Sequence, residues 1–213
     1  MRGETSYLVD LVGRVVSDVA HECEDFMRER DLVISAGEQV SAGLLSLAVR
    51  EYGLKAKAYT AWQLGLRYNS NTSSLYHMDY ASILKQEINQ GTVPIITGFQ
   101  ALNEQGELMT LGRNTSDLSA MCIANLLNAK ACYLYKDVAG IYQHDPKFSV
   151  NNRRYETIRV DDAIALSRRG AQVVNEKALD YLTQEYITTR VVSQSDTTLF
   201  TEIVPNSKQS SFA

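Results

Sequence analysis

Residues Pro94 to Ala120 read PIITGFQALNEQGELMTLGRNTSDLSA. The stretch is entered by an apolar run, Val93 to Phe99, with Gly91 before it and Gly98 near its end. A short apolar run punctuated by glycine predicts a buried strand. Asn103-Glu104-Gln105-Gly106 is polar and turn-forming, so it predicts a hairpin tip, with Leu108 to Leu111 as the returning arm. A second polar turn, Gly112 to Asp117, precedes helical spacing from Leu118 to Leu127. Thr115, Ser116 and Asp117 are all helix-capping residue types, because a short side-chain oxygen can accept from a first-turn N–H.

That turn has chemical content. A helix start presents N–H groups and the positive end of the helix dipole, which suits an anion. Arg113 adds a planar fork able to hold a carboxylate or phosphate with two hydrogen bonds. Asp117 adds a carboxylate at the same place. The residues alone leave two readings: a capped surface helix with an incidental arginine, or a helix start built to hold a small anion.

Working outward, Leu8, Leu11, Val12, Val15, Val16 and Val19 recur at three- and four-residue steps and predict an amphipathic helix over 7–29. His21 and Cys23 fall in it without further ligands close in sequence, so no metal site is expected. Ser35 and Glu38 have the spacing of a capping box, predicting a helix over 36–52 closed at Gly53. Leu54 to Tyr59 alternates and contains lysines, which predicts an edge strand. Trp62 is expected to pack, residues 67–78 to form a polar loop, and 79–89 to form a helix with Ile83, Leu84 and Ile88 inward. Ala131 to Tyr135 predicts a buried strand that runs into a loop, Lys136 to Lys147, containing Asp137, Gly140, Tyr142, Asp145 and Pro146. A strand followed by such a loop is either a plain turn or a ligand site past a strand's C-terminal end. Helices over 160–169 and 176–183, strands over 188–192 and 198–204, and a frayed tail from Asn206 complete the chain. Strands alternating with helices predict a layered α/β domain spanning 1–213.

Bulk properties set limits. The chain has 213 residues, 45% hydrophobic and 22% charged, with a net charge of -4. That suits a globular protein and provides no electrostatic reason for nucleic-acid binding. Three separated cysteines without a C-x-x-C pair suit a reducing compartment. Asp10, Arg14 and Asp18 interrupt any signal-peptide core, and apolar runs are too short to span a bilayer, so no membrane partner is expected and the cytoplasm is the expected location.

GFQ with TLGRNTSD resembles the aspartokinases of the amino-acid kinase family, which carry GFQG and TTLGRGGSDTTA. Ser35-Ala36-Gly37-Glu38-Gln39 upstream and Tyr135 to Tyr142 with Asp145-Pro146 downstream fall in register with it. The resemblance covers roughly residues 30 to 200 and implies a three-layer αβα sandwich with a mostly parallel sheet, incomplete at its N-terminus. It implies ATP-dependent phosphorylation of L-aspartate to 4-phospho-L-aspartate, with Mg²⁺, in amino-acid biosynthesis leading toward lysine. It assigns Glu38 to the substrate's amino group and Arg113 to its α-carboxylate. Phe99 and Ser116 join the substrate grip. The resemblance makes Asp117 the catalytic residue, a carboxylate that orients the substrate's β-carboxylate and the transferring phosphoryl group. Lys136, Asp137, Gly140, Tyr142, Asp145 and Lys147 form the nucleotide loop.

Several departures accompany the resemblance. The opening K-F-G-G strand is absent, as are the regulatory repeats that follow the family's kinase domain. The family's Gly-Gly turn is Asn114-Thr115, its Thr before Asp137 is Lys136, its Arg after Pro146 is Lys147, and its G-A-K lysine is Gln172. Two functions follow: an active phosphotransferase, or a catalytically silent relative that binds amino acid or nucleotide, or serves in a larger assembly. The missing strand is expected upstream in the gene or on another chain, and either a homo-oligomer or partner subunit, or the helix over 7–29 repacked over the gap, is expected to cover the exposed sheet.

Overall fold

Unit 1 starts from two helices that pack on each other. In the computed structural model, which describes residues 4–15, 24–69, 74–76, 81–112, 114–144, 152–170, 173–207 and 211–212, the chain divides into two compact units, Met1–Arg113 and Asn114–Ala213. In the first, α1 (Glu4–Val15) packs on α2 (Glu24–Glu51). The predicted helix over 7–29 is therefore two helices, with residues 16–23 outside the described set. α2 is a single 28-residue helix that runs through Ser35. The Ser35 hydroxyl donates to the Leu32 carbonyl at 2.8 Å instead of capping. A serine can sit inside a helix this way, returning its proton to the preceding turn. The end of α2 is as predicted. Gly53 has φ 78, its N–H donates to the Arg50 carbonyl, and Leu54 N–H donates to that of Val49, a pattern that glycine accommodates without Cβ strain.

Two small sheets complete unit 1. β1 (Lys55–Tyr59) pairs parallel with β4 (Thr92–Ile96), connected through α3 (Ala81–Asn89). β2 (Arg67–Asn69), β3 (Ser74–Tyr76), β5 (Gln100–Leu102) and β6 (Leu108–Thr110) form the other sheet in the order β3-β2-β5-β6. The β5–β6 hairpin turns at Gly106, φ 83, as predicted. The polar stretch expected as a loop over 67–78 instead holds β2 and β3. Leu75 supplies the apolar contact that composition hid, at 5% exposure. On α3 only Leu84 is buried, whereas Ile83 and Ile88 are exposed. Trp62 is also exposed.

Contrary to the expectation from uninterrupted apolar runs, α2 holds one window long and apolar enough to cross a membrane by length and composition. The same helix carries buried Asp31 and Ser35. Asp31 accepts from Thr110 N–H at 2.7 Å and from the Thr110 hydroxyl at 2.9 Å.

Unit 2 is built on a five-stranded mixed sheet in the order β11-β8-β10-β9-β7. Its strands are β7 (Cys132–Lys136), β8 (Tyr155–Arg159), β9 (Thr189–Ser193), β10 (Phe200–Val204) and β11 (Ser211–Phe212). β7–β9 and β8–β10 are parallel pairs. The frayed tail expected at the end contains β11, which pairs with β8. α4 (Ser116–Leu126), α5 (Val160–Arg168) and α6 (Glu176–Gln184) bury Leu118, Met121, Ile164, Leu179 and Leu182. Burying a side chain of this size fully is worth about 1.5–3 kcal/mol. The whole is a mixed α/β protein with parallel pairing in both units.

Candidate functional site

In unit 1 the carboxylate of Glu38 is half-buried on α2, one residue past Gly37. α1 comes down on this turn. A Cβ on Gly37 would lie 2.8 Å from Thr5 Oγ1 and 3.1 Å from Thr5 Cα, so only glycine lets α1 approach so closely. The Thr5 hydroxyl donates to Glu38 Oε1 at 3.2 Å. Burial raises the Glu38 pKa, and the Thr5 hydrogen bond offsets part of that rise. Thr5 was not legible as a site residue, because a lone threonine before an amphipathic helix reads only as an N-terminal polar residue.

Phe99 is the other described residue of unit 1 that the sequence singled out. It is 8% exposed and has φ 51, a left-handed conformation that a bulky side chain adopts only where its surroundings impose it. Its carbonyl accepts from Leu111 N–H at 2.9 Å. Arg113 lies outside the described residues.

In unit 2 the candidate turn opens α4. Asn114 has φ 60, a conformation that asparagine tolerates better than most residues. Thr115 stands at the N-cap with no side-chain cap bond. Ser116 is exposed and Asp117 is buried in the first turn. Both Asp117 oxygens accept from Lys136 Nζ at 2.8 Å. Oδ2 also accepts from Asn175 N–H at 3.2 Å. Lys136 is the last residue of β7, so the strand's C-terminal end delivers an ammonium to the helix's first turn. The sequence suggested Lys136 for the nucleotide loop but not its bond to Asp117, since 19 residues separate them.

The loop after β7 brings Asp137, exposed, together with Gly140, buried, and Tyr142, half-buried. Gly140 has φ 113, and a Cβ there would lie 2.4 Å from Thr201 Oγ1. That hydroxyl accepts from Ile141 N–H at 2.9 Å and donates to the Tyr155 carbonyl at 2.6 Å. Tyr142 is held by a bridge to Arg154. Asp145, Lys147 and Gln172 lie outside the described residues. Beside the end of β7, at the end of β9, Gln194 N–H donates to the Lys136 carbonyl, and Ser193 Oγ accepts from the N–H groups of Ser195 and Asp196. Among the described residues, no group of three His, Cys, Asp or Glu side chains is arranged to hold a metal ion.

Helices on parallel-paired strands, with charged groups gathered where a strand's C-terminal end meets a helix start, define an α/β protein of the strand-end ligand-binding type. The chain belongs to the amino acid kinase family, whose model matches residues 4–193. Among curated relatives, it is 33% identical to aspartokinase 2 of Bacillus subtilis over 92% of this chain and 47% of that protein. It is 37% identical to the aspartokinase of Rickettsia felis over 91% of this chain and 48% of that one. The chain thus spans about half the length of the curated relatives it matches. The solved aspartate kinase from Synechocystis superposes with a TM-score of 0.78 at 30% identity, covering 98% of this chain and 34% of the other. Escherichia coli aspartokinase III, solved with aspartate and ADP, matches at 0.74 and 24% identity over 96% of this chain and 47% of its own, a likeness of fold.

Proposed function

We propose that the chain is an aspartokinase-type phosphotransferase domain, partial in extent, that uses ATP to phosphorylate the side-chain carboxylate of L-aspartate. The observation that carries this reading is the bidentate Lys136–Asp117 pair at the start of α4. A buried acid held by an ammonium is a charge arrangement suited to phosphoryl transfer, where catalysis is mostly positioning and neutralisation of anions.

In this reading unit 1 serves the amino acid. Glu38, with Thr5 orienting its carboxylate, takes the substrate's ammonium, Phe99 lines the site, and Arg113 takes the α-carboxylate. Unit 2 serves the nucleotide. Asp117 orients the reacting groups with Ser116 on the same turn, and Lys136, Asp137, Gly140, Tyr142, Asp145 and Lys147 form the nucleotide loop. The residues fit a magnesium-bound triphosphate better than a free ion. Asp117 is already occupied by Lys136, so Mg²⁺ would be held chiefly by phosphate oxygens and water. ATP supplies the phosphoryl group; the chain supplies orientation and charge.

Lys136, an ammonium at the end of β7 where the family has threonine, supplies a cation in a sequence whose Gln172 replaces a family lysine. A cytoplasmic place in amino-acid biosynthesis toward lysine accompanies this reading. So does self-association, favoured by Val33, Val40, Leu44 and Leu47, apolar residues exposed along one stripe of α2. A coupled ADP-release assay with aspartate and Mg-ATP tests the proposal. Turnover abolished by Asp117→Ala is the expected result, and no turnover at high protein concentration overturns it. The second reading, a silent binder, is favoured by the side chains of Asn114 and Thr115 where the family has glycines. It predicts aspartate or ATP binding without ADP release.

A further inference from the structure

Gln100 is fully buried, as are Thr97 and Ser35, and these three polar residues form a directed chain inside unit 1. Ala61 N–H donates to Thr97 Oγ1 at 3.0 Å. Thr97 Oγ1 then donates its only proton to Gln100 Oε1 at 3.2 Å. Gln100 Nε2 donates to the Ser35 carbonyl at 2.8 Å. The direction is unambiguous. The hydroxyl has one proton, and the far end of the chain is a carbonyl that can only accept, so the amide of Gln100 has one permitted orientation. Thr97 is anchored a second time through its backbone N–H, which donates to the Tyr59 carbonyl at 3.0 Å.

The Ser35 carbonyl lies in the middle of α2, where a helix needs no partner from outside. A side chain that seeks it out ties the helix to another segment. The tie falls two and three residues before Gly37 and Glu38. Its other end is the turn 97–100, in which Phe99 holds φ 51. Both flanks of Phe99 are therefore pinned by the same side-chain chain, which is the condition for a strained bulky residue to persist.

We propose that Gln100 is a positioning residue: with Thr97 it clamps the Glu38 turn of α2 to the Phe99 turn and so sets the geometry of the amino-acid site. This rests on the functional reading above only in naming aspartate as the ligand; the clamp itself is a property of unit 1.

The test compares the full chain with Gln100→Met, Thr97→Val and Thr97→Ser. Leu84→Ala serves as a control that loosens the same unit from α3. Titration calorimetry with L-aspartate is expected to show about 10-fold weaker binding for Gln100→Met, the loss of a pair of buried hydrogen bonds. Thr97→Val should weaken binding less, and Thr97→Ser, which keeps the hydroxyl, should restore wild-type affinity. Leu84→Ala should lower the melting temperature without moving affinity. Wild-type affinity in a folded Gln100→Met overturns the inference, as does an equal affinity loss in Leu84→Ala.

If wild type binds no aspartate, the functional reading fails and amide exchange decides the clamp. Protection of residues 35–39 and 97–100 is expected to fall together, about 10-fold, in Gln100→Met and Thr97→Val, with 81–89 unchanged. Unchanged protection of 35–39 overturns it. Should Gln100→Met not fold, the Thr97 pair carries both measurements.

Discussion

The two units each hold one candidate carboxylate, half-buried in unit 1 and buried in unit 2, and they treat it oppositely. In unit 2, Asp117 has an ammonium on both oxygens and a backbone N–H besides. In unit 1, Glu38 receives a neutral hydroxyl, and among the described residues it makes no ion pair. Partial burial without a countercharge pushes the Glu38 pKa up. A carboxylate in that condition gains most from an arriving cation, which suits the ammonium of an amino acid. Asp117 is already compensated, so what its pair offers a ligand is the lysine, which suits an anion. On the proposed function, two acids of the same chemistry are thus suited to opposite partners by what the fold places beside them.

The comparison breaks most visibly at Asp117. Asp117→Ala strands the Lys136 ammonium, whose side chain keeps 20% of its exposure. The expected loss is about 2–3 kcal/mol of stability, below the 3–5 typical of a fully buried pair. It is to be measured by urea denaturation; a loss under about 0.5 kcal/mol would mean the pair does not hold this turn.

Glu38 comes next. Glu38→Gln keeps an acceptor for Thr5 but removes the charge, and is expected to weaken aspartate binding about 10- to 100-fold. Stability should move the other way. The folded state holds the Glu38 proton more tightly than the unfolded chain, whose ordinary value is 4.5. Wild-type stability therefore falls as pH rises from that value through the raised folded one. Glu38→Gln should melt no lower than wild type at neutral pH, with any gain lost in acid. Aspartate affinity of wild type should decline on acidification at a higher pH than an ordinary carboxylate would give. A flat pH profile would remove Glu38 from the ammonium-binding role.

A pair of glycines sharpens the contrast between the units without touching charge. Gly112 and Gly140 both have positive φ, 100 and 113. A Cβ at Gly112 meets nothing within 4 Å, while one at Gly140 meets Thr201 Oγ1 at 2.4 Å. Gly112→Ala should cost about 1 kcal/mol, backbone strain alone. Gly140→Ala should cost about 2–3, because it also breaks the Thr201 bonds to Ile141 and Tyr155. Equal losses would mean that packing at the β7 loop is not what requires its glycine.

The smallest effect concerns Cys132. Burial, with the nearby Asp117 charge, raises its thiol to about 11. At pH 8 native protein should alkylate there far more slowly than urea-unfolded protein. Rapid native alkylation would place Cys132 at an accessible surface.

Much of this was readable in the chain itself, because local physics leaves local marks. The hairpin at Asn103 to Gly106, the α2 end at Gly53 and the strand from Cys132 each depend on residue types whose backbone preferences act within a few positions. Elsewhere tertiary packing overrides those preferences. Ser35 looked like a cap and lies inside a 28-residue helix. The polar residues 67–69 and 74–76 pair as strands because β5 offers an edge. The tail at Ser211 is ordered by β8.

The same division holds for the site. The order of residues along the chain sets which types stand at the α4 turn and after β7, and so the family and the kind of ligand their charges suit. The partners come from folding: Lys136 on Asp117 from 19 residues away, Thr5 on Glu38 from 33, and Gln100 on the Ser35 carbonyl from 65. A side chain's type is written in one position, but its charge state, orientation and strain come from neighbours that only folding brings within hydrogen-bonding distance.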